Sequence, residues 1–277
     1  MNPDLAKFSL QDTNIVVTGA CGLLGQQHCE VIAAAGGRPV MLDLSQERLN
    51  SLSERIFSKH GIRPVHMMAD ITQKSQLEAS LKRILAECGG VHGLVNNAAN
   101  NPKVESLGSG TGWMRFENLD LAIWEKDMAI GLTGAFLCSQ VFGSEMARNG
   151  GGVIVNISSD LSLIAPDQRL YRVPGLPESE QPVKPVTYSV IKTGLLGLTR
   201  YLASYWAEQG VRVNAISPGG VENGQPEDFQ QRLSQLIPLR RMARKDEYRA
   251  AMLFLLSDAS SYMTGANLVM EGGRTVL

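Results

Sequence analysis

Little in this chain points to a metal, a disulfide or a membrane. Its four cysteines, Cys21, Cys29, Cys88 and Cys138, include no C-x-x-C pair, and its four histidines show no H-E-x-x-H spacing. Such a set argues against a disulfide framework and a zinc knuckle and suits a reducing compartment, so no metal site is expected. No apolar run approaches the roughly 18 residues that a bilayer span needs. The first residues, MNPDLAKFSLQDTN, lack a charged region followed by an apolar one, so neither a signal peptide nor a membrane partner is expected. An excess of one charge is also missing. With 26 Lys and Arg against 27 Asp and Glu the net charge is −1, which gives no reason to expect nucleic acid or an anionic surface as partner. The expectation is a cytoplasmic enzyme working on small molecules.

What the chain does have is alternation. Short β-branched runs, NIVVTG, RPVMLDL, IRPVHMMAD, VHGLVNNAA, GGVIVNISS and VRVNAISPGG, are separated by helical patterns. These patterns span 23–35, 45–60, 74–87, 121–148 and 187–208. Strand and helix alternating in this way imply right-handed crossovers and a parallel sheet covered on both faces. The pattern fills residues 1–277 without a linker, so a single α/β domain is expected, and 277 residues suffice for a substantial core. Two loops stand out, at about 100–120 and 160–186, together with a polar turn and amphipathic helix at 222–245. Long loops in a compact domain usually serve as lids or substrate walls.

The stretch TGACGLLG, at the end of the first strand, places Gly19, Gly22 and Gly25 three residues apart. Glycine allows the tight turn and the close approach of backbone to a pyrophosphate, and the helix that follows offers free N–H groups to the anion. With the strand pattern this makes the domain a Rossmann-like, doubly wound fold. Cys21, Leu23 and Leu24 fill the remainder of the loop, Cys21 being read as a small residue tolerated there rather than a redox switch. Asp43 ends the second strand about twenty residues on. A carboxylate there accepts hydrogen bonds from a ribose 2′-OH and repels a 2′-phosphate, which favours NAD over NADP. The bland alternative is a helix N-cap, a role Ser45 fills equally well.

Tyr188 and Lys192, in VTYSVIKTG, stand at i and i+4 and would share a helix face about 5–6 Å apart. With TGACGLLG, LVNNAA, VIVNISS, RVNAISPGG and YMTGANLVMEGG in order, the chain closely resembles the short-chain dehydrogenase/reductase family over roughly residues 10–273. The resemblance implies Tyr188 as general acid/base, Lys192 as its partner and Ser159 as the hydrogen-bonding residue at the reacting oxygen. It places Asp70 and Ile71 beside adenine, Asn97, Ala98 and Ala99 in the NNAG-like loop, and Pro218 and Gly219 under the nicotinamide, with Val221 a further cofactor contact and Asn223 near the carboxamide. Tyr171 is excluded as the base because position 175 is glycine. A phenol titrates near pH 10, and lowering it by about three units takes roughly 4 kcal/mol, within reach of two close cations.

Three departures accompany the resemblance. The glycine spacing is that of the longer, epimerase-like branch, whereas the later motifs are reductase-like. Gly131 stands where the family usually has an asparagine that helps hold a relay water. An insertion, Ala165 to Pro185, separates Ser159 from Tyr188, and its Arg169 or Arg172 could clamp an anionic substrate group bidentately, although a mixed-charge run is most often a solvated loop. The insertion, IGLTGAF and SPGGVENGQPEDF also resemble oxidoreductases of bacterial surface-sugar pathways, including flagellin modification. The expected activity is therefore NAD(P)-dependent oxidation or reduction of a sugar-like alcohol or ketone. The alternatives are a sugar epimerase or dehydratase with internal hydride return, and a non-catalytic NAD-binding regulator. A homodimer or homotetramer is implied through helices 121–146 and 187–205, with Tyr201, Tyr205 and Trp206 packing a core or a subunit seam.

Overall fold

The computed structural model describes residues 2–101, 104 and 110–277. Seven parallel strands form one sheet: β1 (Asn14–Thr18), β2 (Arg38–Asp43), β3 (Val65–Met68), β4 (Gly93–Asn96), β5 (Gly152–Ile157), β6 (Val211–Pro218) and β7 (Asn267–Met270). Their spatial order is β3-β2-β1-β4-β5-β6-β7, so the winding direction reverses between β1 and β4. A crevice opens at that reversal, beyond the carboxyl ends of the strands.

Among the described residues, ten α-helical segments accompany the sheet. A short α1 (Pro3–Ala6) precedes β1, and α2 (Leu23–Ala34), α3 (Gln46–His60) and α4 (Lys74–Cys88) follow β1, β2 and β3. Between β4 and β5 the chain forms α5 (Leu121–Met128), α6 (Gly134–Cys138) and α7 (Ser144–Arg148), and then come α8 (Val186–Tyr205), α9 (Glu227–Gln235) and α10 (Arg249–Leu256). Residues 121–148 form the continuous helix expected, but π-helical turns at Ala129–Thr133 and Ser139–Gly143 break its pitch. A π turn carries one residue more than an α turn, and an apolar pattern read at 3.6 residues per turn does not reveal it.

The alternation of side chains across the strands explains the two layers. Ile15, Val17, Met41, Val95 and Val155 point to one face and pack with Ile32 of α2, Leu49 and Ile56 of α3, and Met252 and Leu255 of α10. Val16, Val40, Leu42, Leu94 and Ile154 point to the other and pack with Leu77 and Ile84 of α4, Phe142, Met146 of α7, and Leu202 of α8. Trp206 joins this second core, whereas Tyr201 and Tyr205 are exposed and stack on each other at 5.7 Å. No described helix is long and apolar enough to cross a membrane.

Ser45, not Asp43, caps α3: its hydroxyl accepts from the Arg48 N–H, leaving the Asp43 carboxylate for other work. The insertion and the 222–245 segment pack together over the crevice. Leu170 joins Phe229, Leu233, Ile237 and Met242 in a separate apolar cluster, Tyr171 lies against Phe229 with ring centres 5.6 Å apart, and Arg232 donates to the Leu170 carbonyl at 3.0 Å. Part of the 100–120 loop, residues 102, 103 and 105–109, lies outside the described residues.

Candidate active site

The crevice is a single cleft of about 980 Å³ that runs from the β1–α2 loop past the carboxyl ends of β4 and β5 to the β6 loop. Its volume is at the upper end of what a small-molecule site needs and leaves room for a dinucleotide with a second, smaller molecule.

At one end the glycines do three separate jobs. Gly19 has φ +60°, and a Cβ there would stand 2.9 Å from Ala98 Cα, so the turn is held directly against the β4 loop. Gly22 is the N-cap of α2 and supplies no capping side chain, which leaves the first N–H groups of the helix directed at the cleft wall formed by Gly22, Leu23 and Leu24. Gly25 lies behind the wall; a Cβ there would be 2.2 Å from the Gly19 carbonyl oxygen, so helix and loop interlock. An uncapped helix start facing an open cleft fits an anionic pyrophosphate. Asn97 staples this turn to β4, its amide donating to the carbonyls of Thr18 and Gly19 at 2.9 and 3.0 Å. Thr18, which the motif reading overlooked, accepts from the N–H groups of Asn97 and Ala98 through its hydroxyl.

Asp43 lines the cleft at the end of β2. One carboxylate oxygen accepts from Cys21 N–H and the other from Leu44 N–H, each at 2.8 Å, which fixes the group while leaving lone pairs free. The Cys21 thiol does not reach the cleft. It is buried in the core, and burial, reinforced by the Asp43 charge, pushes it up to about 11, which removes any redox-switch reading. Arg48 lies in the same wall and donates to the Cys21 carbonyl. Asp70 and Ile71 line the next stretch. Asp70 accepts from the Thr72 N–H and hydroxyl and so shapes its own loop, and Ile71 packs where a Cβ on Gly134 would come within 2.5 Å. Ala98 and Ala99, then Pro218, Gly219, Val221 and Asn223, also line the cleft.

At the other end Ser159, Tyr188 and Lys192 converge. Tyr188 and Lys192 lie on α8, and Lys192 Nζ donates to the Ile157 carbonyl at 2.7 Å and stands 5.7 Å from the centre of the Tyr188 ring. Burial, with Lys184 adding repulsion, lowers Lys192 to about 8. Burial pushes Tyr188 up to about 12; the Asp160 charge adds to this, and the Ser159 hydroxyl works against it. The expected depression is assigned to two cations together, the lysine and a positive nicotinamide ring, and the second is not a group of the protein.

Lys184 lies 4.3 Å from the centre of the same ring and donates to Asn101 Oδ1 at 2.6 Å. It is the cation of the insertion that reaches the cleft. Arg169 and Arg172 do not line it: Arg169 is paired with Asp167 at 2.7 Å and Arg172 with Glu178 at 2.9 Å, both on the outer surface. The mixed-charge run neutralises its own arginines, whereas Lys184, next to the start of α8, is carried inward with the helix. Gly131 lies in the first π turn, and a Cβ there would meet Ile191 Cγ2 at 2.6 Å. A side chain in place of the family asparagine would require Ile191 to move.

Two further residues escaped the motif reading. Asp160 and Arg274 form an ion pair at 2.8 Å with both side chains more than nine-tenths buried, and both line the cleft. They are 114 positions apart, so only the fold brings them together. No group of three or more described His, Cys, Asp or Glu side chains is arranged to hold a metal ion.

A seven-stranded parallel sheet with a glycine cradle at its switch point, and a serine, tyrosine and lysine at the far end of the same cleft, define a nucleotide-dependent oxidoreductase. The chain belongs to the short-chain dehydrogenase/reductase family: a family model described as short chain dehydrogenase matches residues 13–170, and one described as enoyl-(acyl carrier protein) reductase matches 179–275. It is 32% identical to an NAD-dependent glycerol dehydrogenase of Listeria innocua, over 97% of this chain and 96% of that protein. It is 34% identical to a D-threitol dehydrogenase of Mycolicibacterium smegmatis, over 97% of this chain and 95% of that one. Among solved structures, a gluconate 5-dehydrogenase from Burkholderia cenocepacia in complex with NADP and tartrate superposes with a TM-score of 0.81 at 25% identity, covering 99% of both chains.

Proposed function

We propose that this protein is an NAD-dependent dehydrogenase of small polyols and the corresponding ketoses, with Tyr188 as its acid/base. The observation that carries the reading is the placement of Ser159, Tyr188 and Lys192 at the end of a cleft whose other end is the glycine cradle. Gly22, Leu23 and Leu24 would hold the pyrophosphate, Asp43 the adenosine ribose, Asp70 and Ile71 the adenine, and Pro218, Gly219 and Val221 the nicotinamide. When bound, the nicotinamide accepts or supplies the hydride. Tyr188 takes the proton of the substrate hydroxyl in oxidation and returns it in reduction. Lys192, held by the Ile157 carbonyl, adds positive charge on the cofactor side of the tyrosine.

Asn101, Lys184 and Gln225 also line the cleft, and we assign them to the substrate. Amide side chains both donate and accept, which suits a row of hydroxyl groups. The reported relatives are named for glycerol and D-threitol, and this moves the reading from surface sugars towards open-chain polyols. Four cysteines without a paired framework favour the cytoplasm, and the family resemblance favours a homodimer or homotetramer. The test is NADH absorbance while the purified enzyme meets glycerol, four- to six-carbon alditols and aldonates with NAD or NADP. Reduction of NAD by at least one alditol is expected. Product formation without net NADH would instead indicate internal hydride return, and silence with tight NADH binding a regulator.

The choice of NAD rests on Asp43, whose charge would meet a 2′-phosphate. Arg48 stands in the same wall, so removing the carboxylate leaves a cation facing that position. Asp43→Ser should lower kcat/KM for NAD about tenfold or more and raise it for NADP, the scale of a lost charged hydrogen bond and a relieved repulsion. Equal use of both cofactors by the unaltered enzyme would refute the assignment.

A further inference from the structure

Tyr188 stands where a helix is weakest. Val186, Thr187 and Tyr188 are the first three residues of α8, and Pro185 at its N-cap supplies no side-chain capping bond. A first turn of that kind frays unless something outside the helix holds it. Two side-chain bonds do so here. The Thr187 hydroxyl donates to Asp127 Oδ2 of α5 at 2.7 Å, and Asp127 Oδ1 accepts from the Asn100 amide, also at 2.7 Å. Lys184, just before the helix, donates to Asn101 Oδ1 at 2.6 Å. Asn100 and Asn101 follow directly on Asn97, Ala98 and Ala99, in the cleft-lining loop after β4.

We infer that Asp127 is a positioning residue that locks the first turn of α8, and with it Tyr188, to the loop after β4. Asp127 is buried and is not among the cleft-lining residues, so it acts through Thr187 and Asn100 rather than on a ligand. Each of its carboxylate oxygens takes one of the two bonds, which is what a buried anion requires, and an anion beside a helix N-terminus is favoured by the helix dipole. The same seam continues one turn on, where Gly131 of the π turn lies against Ile191 as Asp127 lies against Thr187. With no side chain at 131, the polar contact between this helix and the tyrosine helix comes from 127. One carboxylate thus joins the loop that flanks the cofactor cleft to the turn that carries the acid/base.

The inference rests on the dehydrogenase reading, and its test separates the two. Asp127→Ala removes both bonds and should lower kcat about 10- to 100-fold, the scale of a slightly misplaced reacting group, with much smaller changes in KM and NADH affinity. Asp127→Asn should recover most of that loss, because its oxygen can accept from Thr187 while its amide donates to a turned Asn100. Thr187→Val exchanges a hydroxyl for a methyl and cuts only the α8 side of the bridge. It should lower kcat in the same selective way. Asp127→Ala/Thr187→Val should be no slower than Asp127→Ala, since the two substitutions remove one shared interaction.

Where Asp127→Ala does not fold, Thr187→Val carries the kinetic test. Amide hydrogen exchange gives a second readout that needs no substrate. NADH should slow exchange at residues 186–192 of the unaltered protein, and this cofactor-dependent protection should be lost in Asp127→Ala and in Thr187→Val. A residue that only braces the fold would instead speed exchange equally with and without NADH and lower kcat and NADH affinity together. Loss of the NADH-dependent protection upholds the link even if no polyol is turned over. Protection that is absent from the unaltered protein or survives in both variants, or a kcat within about threefold of the unaltered enzyme in both, overturns the inference.

Discussion

Tyr188→Phe is expected to reduce kcat by about 100- to 10,000-fold, the range of a lost general acid/base, while NADH binding changes little. The ring is retained, so the packing of Lys184 over its face and the course of α8 persist. What disappears is one oxygen, the phenol hydroxyl that α8 carries in the cleft beside Ser159. Stopped-flow measurement of NADH formation, with NADH fluorescence titration on the same preparation, separates loss of chemistry from loss of binding. Activity within tenfold of the unaltered enzyme would mean that another group moves the proton. Because the protein alone holds this phenol near 12, the cationic nicotinamide has to supply much of the drive to ionise. The limb of the oxidation profile should accordingly lie well below 12 once NAD is bound.

Gly25→Ala should be the most damaging single methyl in the cradle. The added carbon would sit 2.2 Å from the Gly19 carbonyl oxygen and 2.9 Å from that of Ala20. Both obstacles are backbone, so relief requires opening the turn that aims the α2 N–H groups. Weakening of NADH binding by about 100-fold or more is expected, together with the roughly 1–3 kcal/mol that overpacking commonly costs. Gly197→Ala on α8 is the control. A Cβ there meets nothing within 4 Å, so cofactor affinity should hold, and the exposed helix position should gain up to about 1 kcal/mol from the better helix former. Calorimetric titration with NADH and thermal melts of both variants decide the matter.

Much of this was legible in the chain because the signals are local. Alternating faces such as Ile15 and Val17 against Val16 announce a sheet covered on both sides, and TGACGLLG and Tyr188–Lys192 carry their meaning in their spacing. The π turns in 121–148 were not legible, since one extra residue per turn leaves the apolar pattern nearly intact. Arg169 and Arg172 drew attention by charge alone, yet their carboxylate partners lie two and six residues away and hold them outward. Lys184 belongs to the same run, and its place four residues before Tyr188 and beside the start of the helix is a usable sign. Asp160 stood in plain view after NISS. Its ion-pair partner, Arg274, is at the other end of the chain, and no spacing rule links the two.

The tight contact between Gly131 and Ile191 has a consequence for how this chain can change. A side chain at 131 collides with Ile191, the neighbour of Lys192, so the two positions cannot vary independently. An asparagine at 131 is better accommodated where 191 is smaller; opposite Ile191 it presses on the helix that carries Tyr188 and Lys192. Gly131→Asn alone should therefore lower the melting temperature more than Gly131→Asn combined with Ile191→Ala does relative to Ile191→Ala alone.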